Sequence, residues 1–295
     1  MMRNLRRVTV SIDEGLERAR FMLHEEKATF MTNHLAQLKS CYEDYDNHGV
    51  HNTLHEVTPL WGDAETDTRQ VREEKKYKRN LAEELYGSNR PVINKHWEEL
   101  QSANGGQTLM CPICGIRECN EMDHYIPRSL MPEYSVHLTN LIPLCHRCNH
   151  KKGDKWLNGD GQRMIFNAYF DAMPEANPVR WYISISDIDG FPQMNTDYNP
   201  NVQMGAPAYS IVDCTIAELE LMDVYKTEVS VSFRKELVRI EETLRRRPEK
   251  SEAWNELKSI YQSYLQQEDV WSVVDRWIFN AIVTSQDMDN WVEGL

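Results

Sequence analysis

The sequence predicts an α+β chain that is mostly helical and carries one small metal-stapled unit near its middle. Three observations lead there. Apolar residues recur at helical spacing over long stretches on both sides of the centre. Alternating, strand-like runs are short and isolated. Four cysteines stand in two CxxC pairs, Cys111/Cys114 and Cys145/Cys148, with residues 115–144 between them. Paired thiolates at that spacing close a tetrahedron around a structural zinc ion.

The elements follow in order. Ser11-Ile12-Asp13-Glu14 has the S-x-x-E form that caps a helix, and it opens an amphipathic pattern with Leu16, Leu23, Phe30, Leu35 and Leu38. That pattern predicts a helix or helical pair to about Tyr45. Residues 46–68 are polar and loop-like, and His48, His51 and His55 within them read as polar loop residues rather than a second metal site. A helix is expected from Arg69 to Tyr86, stopping at Gly87, and another from Pro91 to Gly105-Gly106. Beyond the cysteine unit, residues 164–173 read as a helix closed by Pro174. Trp181 to Ser186 alternates as a strand ending at an Asp189-Gly190 turn, and residues 191–207 read as loop. Residues 208–214 are expected as a partner strand, with Thr215 capping a long helix that ends at Arg245-Arg246-Arg247-Pro248. Two helices follow, near 252–266 and 270–284. Trp254, Trp271, Trp277 and Trp291 read as core aromatics, with partner anchors as the alternative. The resulting division is an N-terminal helical region (1–68), basic helices plus the zinc-stapled unit (69–156), a mixed connection (157–214) and a C-terminal helical region (215–295).

The net charge of −13 is unevenly spread. Residues 69–155 hold 14 Lys/Arg against 11 Asp/Glu, and the remainder is strongly acidic. Arg69, Arg72, Lys75, Lys76, Lys78 and Arg79 crowd just upstream of the cysteines. A positive block in an acidic chain is where a polyanion would be drawn; the alternative is a solvated helix face paired to Glu73 and Glu74. Outside the two motifs, Cys41, Cys119 and Cys214 suggest no disulfide framework, which fits a reducing compartment. The N-terminus lacks the apolar run of a signal peptide, and no stretch has the length of a membrane span, so a soluble cytoplasmic protein is expected. There is no GxxxxGK[ST] phosphate loop.

Between and just after the two knuckles stand Asp123-His124, Asn140 and Asn149. The segment CPICGIRECNEMDHYIPRSLMPEYSVHLTNLIPLCHRCNHKKGD resembles the HNH endonuclease family through CxxC, DHxxPxS, NLxxLCxxCN and the Lys that follows. The resemblance covers about 45 residues, a minor part of the chain. It implies a ββα-metal hairpin and helix, with Asp123-His124 on one strand and Asn149 at the start of a short helix running through Lys151 and Lys152. It also implies hydrolysis of DNA phosphodiester bonds. In residue terms, the neutral His124 imidazole is a general base toward water. Asp123 and Asn149 offer hard oxygens to a catalytic Mg²⁺ or Mn²⁺. Asn140 is expected to pin the intervening loop, and Cys111, Cys114, Cys145 and Cys148 to hold the zinc. Neighbouring strand residues face opposite ways, so the resemblance implies a distorted backbone at Asp123-His124. The third family position is often histidine and is here Asn149, which leaves His146 and His150 as alternative ligands. Lys151, Lys152, Lys155 and Arg128 are candidate contacts to a nucleic-acid backbone. Cys119 reads as a buried hydrophobe rather than a fifth ligand.

Helical flanks around such a unit look like those of bacterial anti-phage or restriction effectors. These act beside an ATPase or other partner subunit, or as homo-oligomers, and the helices from Thr215 to Thr284 are the expected docking element. The alternatives are a non-catalytic zinc-dependent nucleic-acid binding module, which would have no use for a general base, and an RNA-directed nuclease of the same chemistry.

Overall fold

The computed structural model describes the chain apart from residues 1, 9, 22, 24, 63, 65, 107, 173–178, 199–206 and 268–271, and apart from the side chains of 207–209. The chain divides into two compact units, Met1–Met173 and Pro174–Leu295.

The first unit begins with α1 (Ile12–Phe21), whose N-terminus is closed by Ser11 Oγ accepting from the Glu14 N–H at 3.1 Å. Next comes α2 (Glu25–Val50), which buries Phe30, Leu38, Tyr42 and Tyr45 along one face. The following helices are α3 (Arg69–Ser88), capped by Thr68, and α4 (Arg90–Ala103), with Pro91 in its first turn. Strands β1 (Glu121–His124) and β2 (Leu141–Leu144) pair antiparallel, with Asp123 opposite Ile142 and His124 opposite Leu141. A short helix, α5 (His146–Lys152), follows β2 directly, and β2 is buried throughout. This β1–β2–α5 arrangement is the ββα element the resemblance implies.

The second unit opens with a hairpin of β3 (Val179–Ile185) and β4 (Pro192–Tyr198), turning at Gly190, whose φ of +68° suits glycine. Val179, Trp181 and Ile183 alternate on the buried side of β3. Helices α6 (Pro207–Glu218), α7 (Leu221–Arg245), α8 (Lys250–Leu265), α9 (Val273–Thr284) and α10 (Gln286–Glu293) complete it. Trp181 stacks on Trp277 at 5.5 Å, and the Trp254 indole N–H donates to Asp289 at 2.7 Å. These tryptophans are thus packed within their own unit; Trp271 lies outside the described residues.

Several elements differ from the sequence expectation. Residues 164–172 form turns, not a helix, because Asn167 and Asp171 take the local backbone donors: Asp171 Oδ2 accepts from Asn167 N at 2.6 Å and Asn167 Oδ1 from Tyr169 N at 2.9 Å. The strand that pairs with β3 is the adjacent 192–198, part of the stretch read as loop for its Asn, Pro and Gly content, whereas 208–214 is helical within α6. Thr215 therefore sits inside α6, buried and donating back to the Ile211 carbonyl at 2.7 Å, and caps nothing. The break falls at Glu220, in the left-handed region at φ +50°, before α7 begins. Two boundaries also shift: α2 runs on to Val50, and α3 passes through Gly87 to Ser88.

Candidate active site

A cluster of four cysteines ties down the start of α5. The four sulfurs of Cys111, Cys114, Cys145 and Cys148 lie within 4.8 Å of one another, all buried. Cys114 and Cys145 Sγ are 3.9 Å apart, against about 3.8 Å for two thiolates each 2.3 Å from one tetrahedral ion. The set fits zinc. Its first knuckle is a tight turn in which Gly115, at φ +69°, donates its N–H to the Cys111 carbonyl at 2.8 Å. The second knuckle is the β2–α5 junction, so the clip ties that junction to residues 111–114. Cys119 is buried and donates to the Pro143 carbonyl at 3.3 Å, as a small hydrophobe would.

With α5 held in place, two residue periodicities meet. Strand alternation puts Glu121 and Asp123 on one face of β1, and the i, i+3 spacing puts His146, Asn149 and Lys152 on one face of α5. The contacts pair them. Lys152 Nζ lies 2.7 Å from Asp123 Oδ2 and donates to the His124 carbonyl at 2.7 Å. His146 Nδ1 lies 2.7 Å from Glu121 Oε1, and Asn149 Nδ2 donates to Glu121 Oε2. Lys152, expected to touch phosphate, is instead 2% exposed and neutralises Asp123 inside the unit. Its surroundings explain the change, since an ammonium buried that deeply needs an anionic partner. Burial pushes the Asp123 carboxyl above its ordinary range, and the Lys152 charge and hydrogen bond oppose it. Lys151 and Lys155 are half-buried.

His124 leaves β1 the other way. Its ring is 8% exposed; Nε2 lies 2.9 Å from the Ser135 carbonyl. A carbonyl can only accept, so Nε2 carries the proton and Nδ1 keeps its lone pair. The Tyr86 ring of α3 meets the imidazole at 4.5 Å, tilted 66°, and the Tyr86 hydroxyl donates to the Met122 carbonyl at 3.1 Å. Burial lowers the His124 pKa to about 4, so the ring is neutral at neutral pH. Strand pairing keeps its register through Asp123 and His124, and β1 ends at His124, so the backbone ends its strand there rather than bending within it.

Asn140 is fully buried. Its Oδ1 accepts from the Ile126 N–H at 2.8 Å and from the Tyr45 hydroxyl at 3.0 Å, and its Nδ2 donates to the Ile126 carbonyl at 3.1 Å. The loop between the strands is therefore tied to itself and to α2. Asp46 adds a second tie by accepting from His137 and, at 2.5 Å, from Thr139.

These are the parts against which the known proteins compare. Residues 111–155 match the HNH endonuclease family. The chain carries an HNH endonuclease domain. Protein ea31 of Escherichia phage lambda is similar as well, 29% identical over 103 residues. That stretch is 35% of this chain and 32% of the phage protein, so the chain spans about a third of that relative's length. No solved structure matches.

Around the HNH domain, α3 and α4 shape two clefts. One, of about 540 Å³, is lined by Arg72, Lys76, Arg79 and Arg128 among others. Of the basic run upstream, Arg69 pairs with Glu73, Lys75 with Asp67 and Lys78 with Glu74. Arg128 stands 5.7 Å above the Tyr86 ring and 3.9 Å from Glu83. The other cleft, of about 470 Å³, has Arg90, Asn94 and Trp97 of α4 on one wall and Glu121 and Asn149 on the other. Glu121 was not singled out from the sequence. The signal was available: it stands two residues before Asp123, on the same face of a strand. The His146 and His150 rings stack at 6.2 Å along α5.

Proposed function

We propose that the chain is a metal-dependent endonuclease that hydrolyses DNA phosphodiester bonds at its HNH domain. The observation that carries this reading is the state of His124, whose ring is held through Nε2 with Nδ1 unprotonated at neutral pH. Nδ1 takes the proton of a water molecule as the water oxygen attacks phosphorus. The bond from phosphorus to the 3′ oxygen breaks, and that oxygen gains a proton from solvent. General-base catalysis of this kind contributes about 10² to 10⁴ in rate. Asp123 and Asn149 would hold Mg²⁺ or Mn²⁺; both are hard-oxygen donors, and the Asn149 amide points its nitrogen, not its oxygen, at Glu121. When bound, the ion supplies positive charge to the scissile phosphate and the leaving oxygen. Arg72, Lys76, Arg128 and Arg90 line the clefts on either side of Tyr86 and supply sequence-independent attraction for the backbone.

Among the described residues no helix is long and apolar enough to cross a membrane. The test is incubation of the zinc-loaded protein with supercoiled plasmid, and with a structured RNA, in Mg²⁺, Mn²⁺ or EDTA. Nicked or linear DNA in the metal lanes alone supports the proposal. Cleavage that survives EDTA, or of RNA only, overturns it.

A further inference from the structure

Glu121 opens β1, and its carboxylate is 32% exposed at the edge of the cleft that Asn149 also lines. Both of its oxygens are engaged by α5, Oε1 by His146 Nδ1 at 2.7 Å and Oε2 by the Asn149 side-chain NH₂. A carboxylate has acceptors only, whereas a carboxamide has one acceptor oxygen and an NH₂ with two donors. Asn149 can therefore meet Glu121 only with its nitrogen. Its Oδ1 must then point away from Glu121.

We propose that Glu121 is a positioning residue of the HNH site, fixing the Asn149 carboxamide so that its oxygen, rather than its nitrogen, is offered to the divalent ion. This rests on the reading of Asn149 as a ligand. A carboxamide without a partner turns freely about its last torsion, and half of its orientations present N–H groups that repel a cation. Glu121 removes that half. His146 in turn holds the carboxylate, so that it cannot swing off to solvent. Hydrogen bonds that orient a ligand in this way are worth about 10- to 100-fold in metal affinity. The arrangement also separates two carboxylates on one strand face: Asp123 is paired with Lys152, while Glu121 is held by the His146 and Asn149 side chains of α5.

The experiment is Mn²⁺ binding, read by electron paramagnetic resonance on the full chain with its zinc in place. Wild type is compared with Asn149→Ala, Glu121→Ala, Glu121→Ser and Glu121→Gln, each checked for one zinc per chain and a native unfolding transition. The expected result is a 10- to 100-fold weaker affinity for Glu121→Ala and Glu121→Ser. Glu121→Gln should stay within about threefold of wild type, because its amide oxygen still accepts from Asn149 and its NH₂ still meets His146. In cleavage, kcat should fall for the truncations with KM for DNA unchanged. Normal affinity in both truncations, with Asn149→Ala weakened, overturns the positioning role and leaves the ligand reading intact. Equal loss in Glu121→Gln and Glu121→Ala also overturns it, by making the Glu121 carboxylate itself a ligand. Normal affinity in Asn149→Ala overturns the ligand reading beneath it.

Discussion

At the scale of single residues, the ion pair of Lys152 with Asp123 makes a sharp prediction. Lys152→Met should destabilise the first unit by about 3–5 kcal/mol, since it leaves a carboxylate buried without a partner. Adding Asp123→Asn should restore most of that loss without restoring cleavage. Chemical denaturation of both variants checks it, and an undiminished Lys152→Met would contradict the pair. The pair is not legible in the sequence, because the burial of Lys152 depends on how α5 docks against β1, which no local pattern encodes. Asp123-His124 and the CxxC pairs are legible, because their neighbours in sequence are neighbours in space. The buried histidines give a pH dependence. Burial lowers both His96 and His124 to about 4, while in the unfolded chain each titrates near 6.5. Between those values the unfolded chain binds more protons, so stability is full above about pH 6.5 and is lost as pH falls toward 4. Each should contribute a loss on the order of 1–2 kcal/mol by pH 5. A urea midpoint equal at pH 7 and pH 5 would mean that these rings are not buried and neutral.

At the scale of elements, long helices were read well because a 3.6-residue period repeats many times in 20 residues or more. Short elements were not. β4 (Pro192–Tyr198) includes the poor strand formers Pro192, Asn195 and Asp197 and exists because β3 and the Gly190 turn present it with a pairing edge. The turns at 164–172 exist because two short polar side chains outbid the helical ladder. The role of α3 was also invisible, since the sequence shows a basic run while the structure shows Tyr86 standing on the His124 ring. If Tyr86 fixes the imidazole, Tyr86→Ala should lower kcat by roughly 10- to 100-fold, the size of effect a misplaced catalytic group produces. Tyr86→Phe, which keeps the ring and loses only the bond to the Met122 carbonyl, should lose only a few-fold. Steady-state kinetics on the two variants decides it, and an active Tyr86→Ala would remove the ring from the account.

At the scale of the whole molecule, the chain divides into two compact units, Met1–Met173 and Pro174–Leu295. The zinc clip belongs to the first unit alone. Its binding energy is folding energy for that unit, so calorimetry after zinc chelation, or of Cys145→Ser, should show one transition lost or lowered and the transition of the second unit unchanged. Loss of both together would contradict the assignment of zinc to one unit. The central claim is that His124 acts as the base in a metal-dependent cleavage of DNA. Its most direct measurement is single-turnover cleavage by wild type and His124→Ala at saturating enzyme in Mn²⁺, with DNA binding measured on the same samples. A rate lower by about 10² to 10⁴ at equal DNA affinity and equal zinc content is the expected result; a His124→Ala protein that cleaves at the wild-type rate would contradict it.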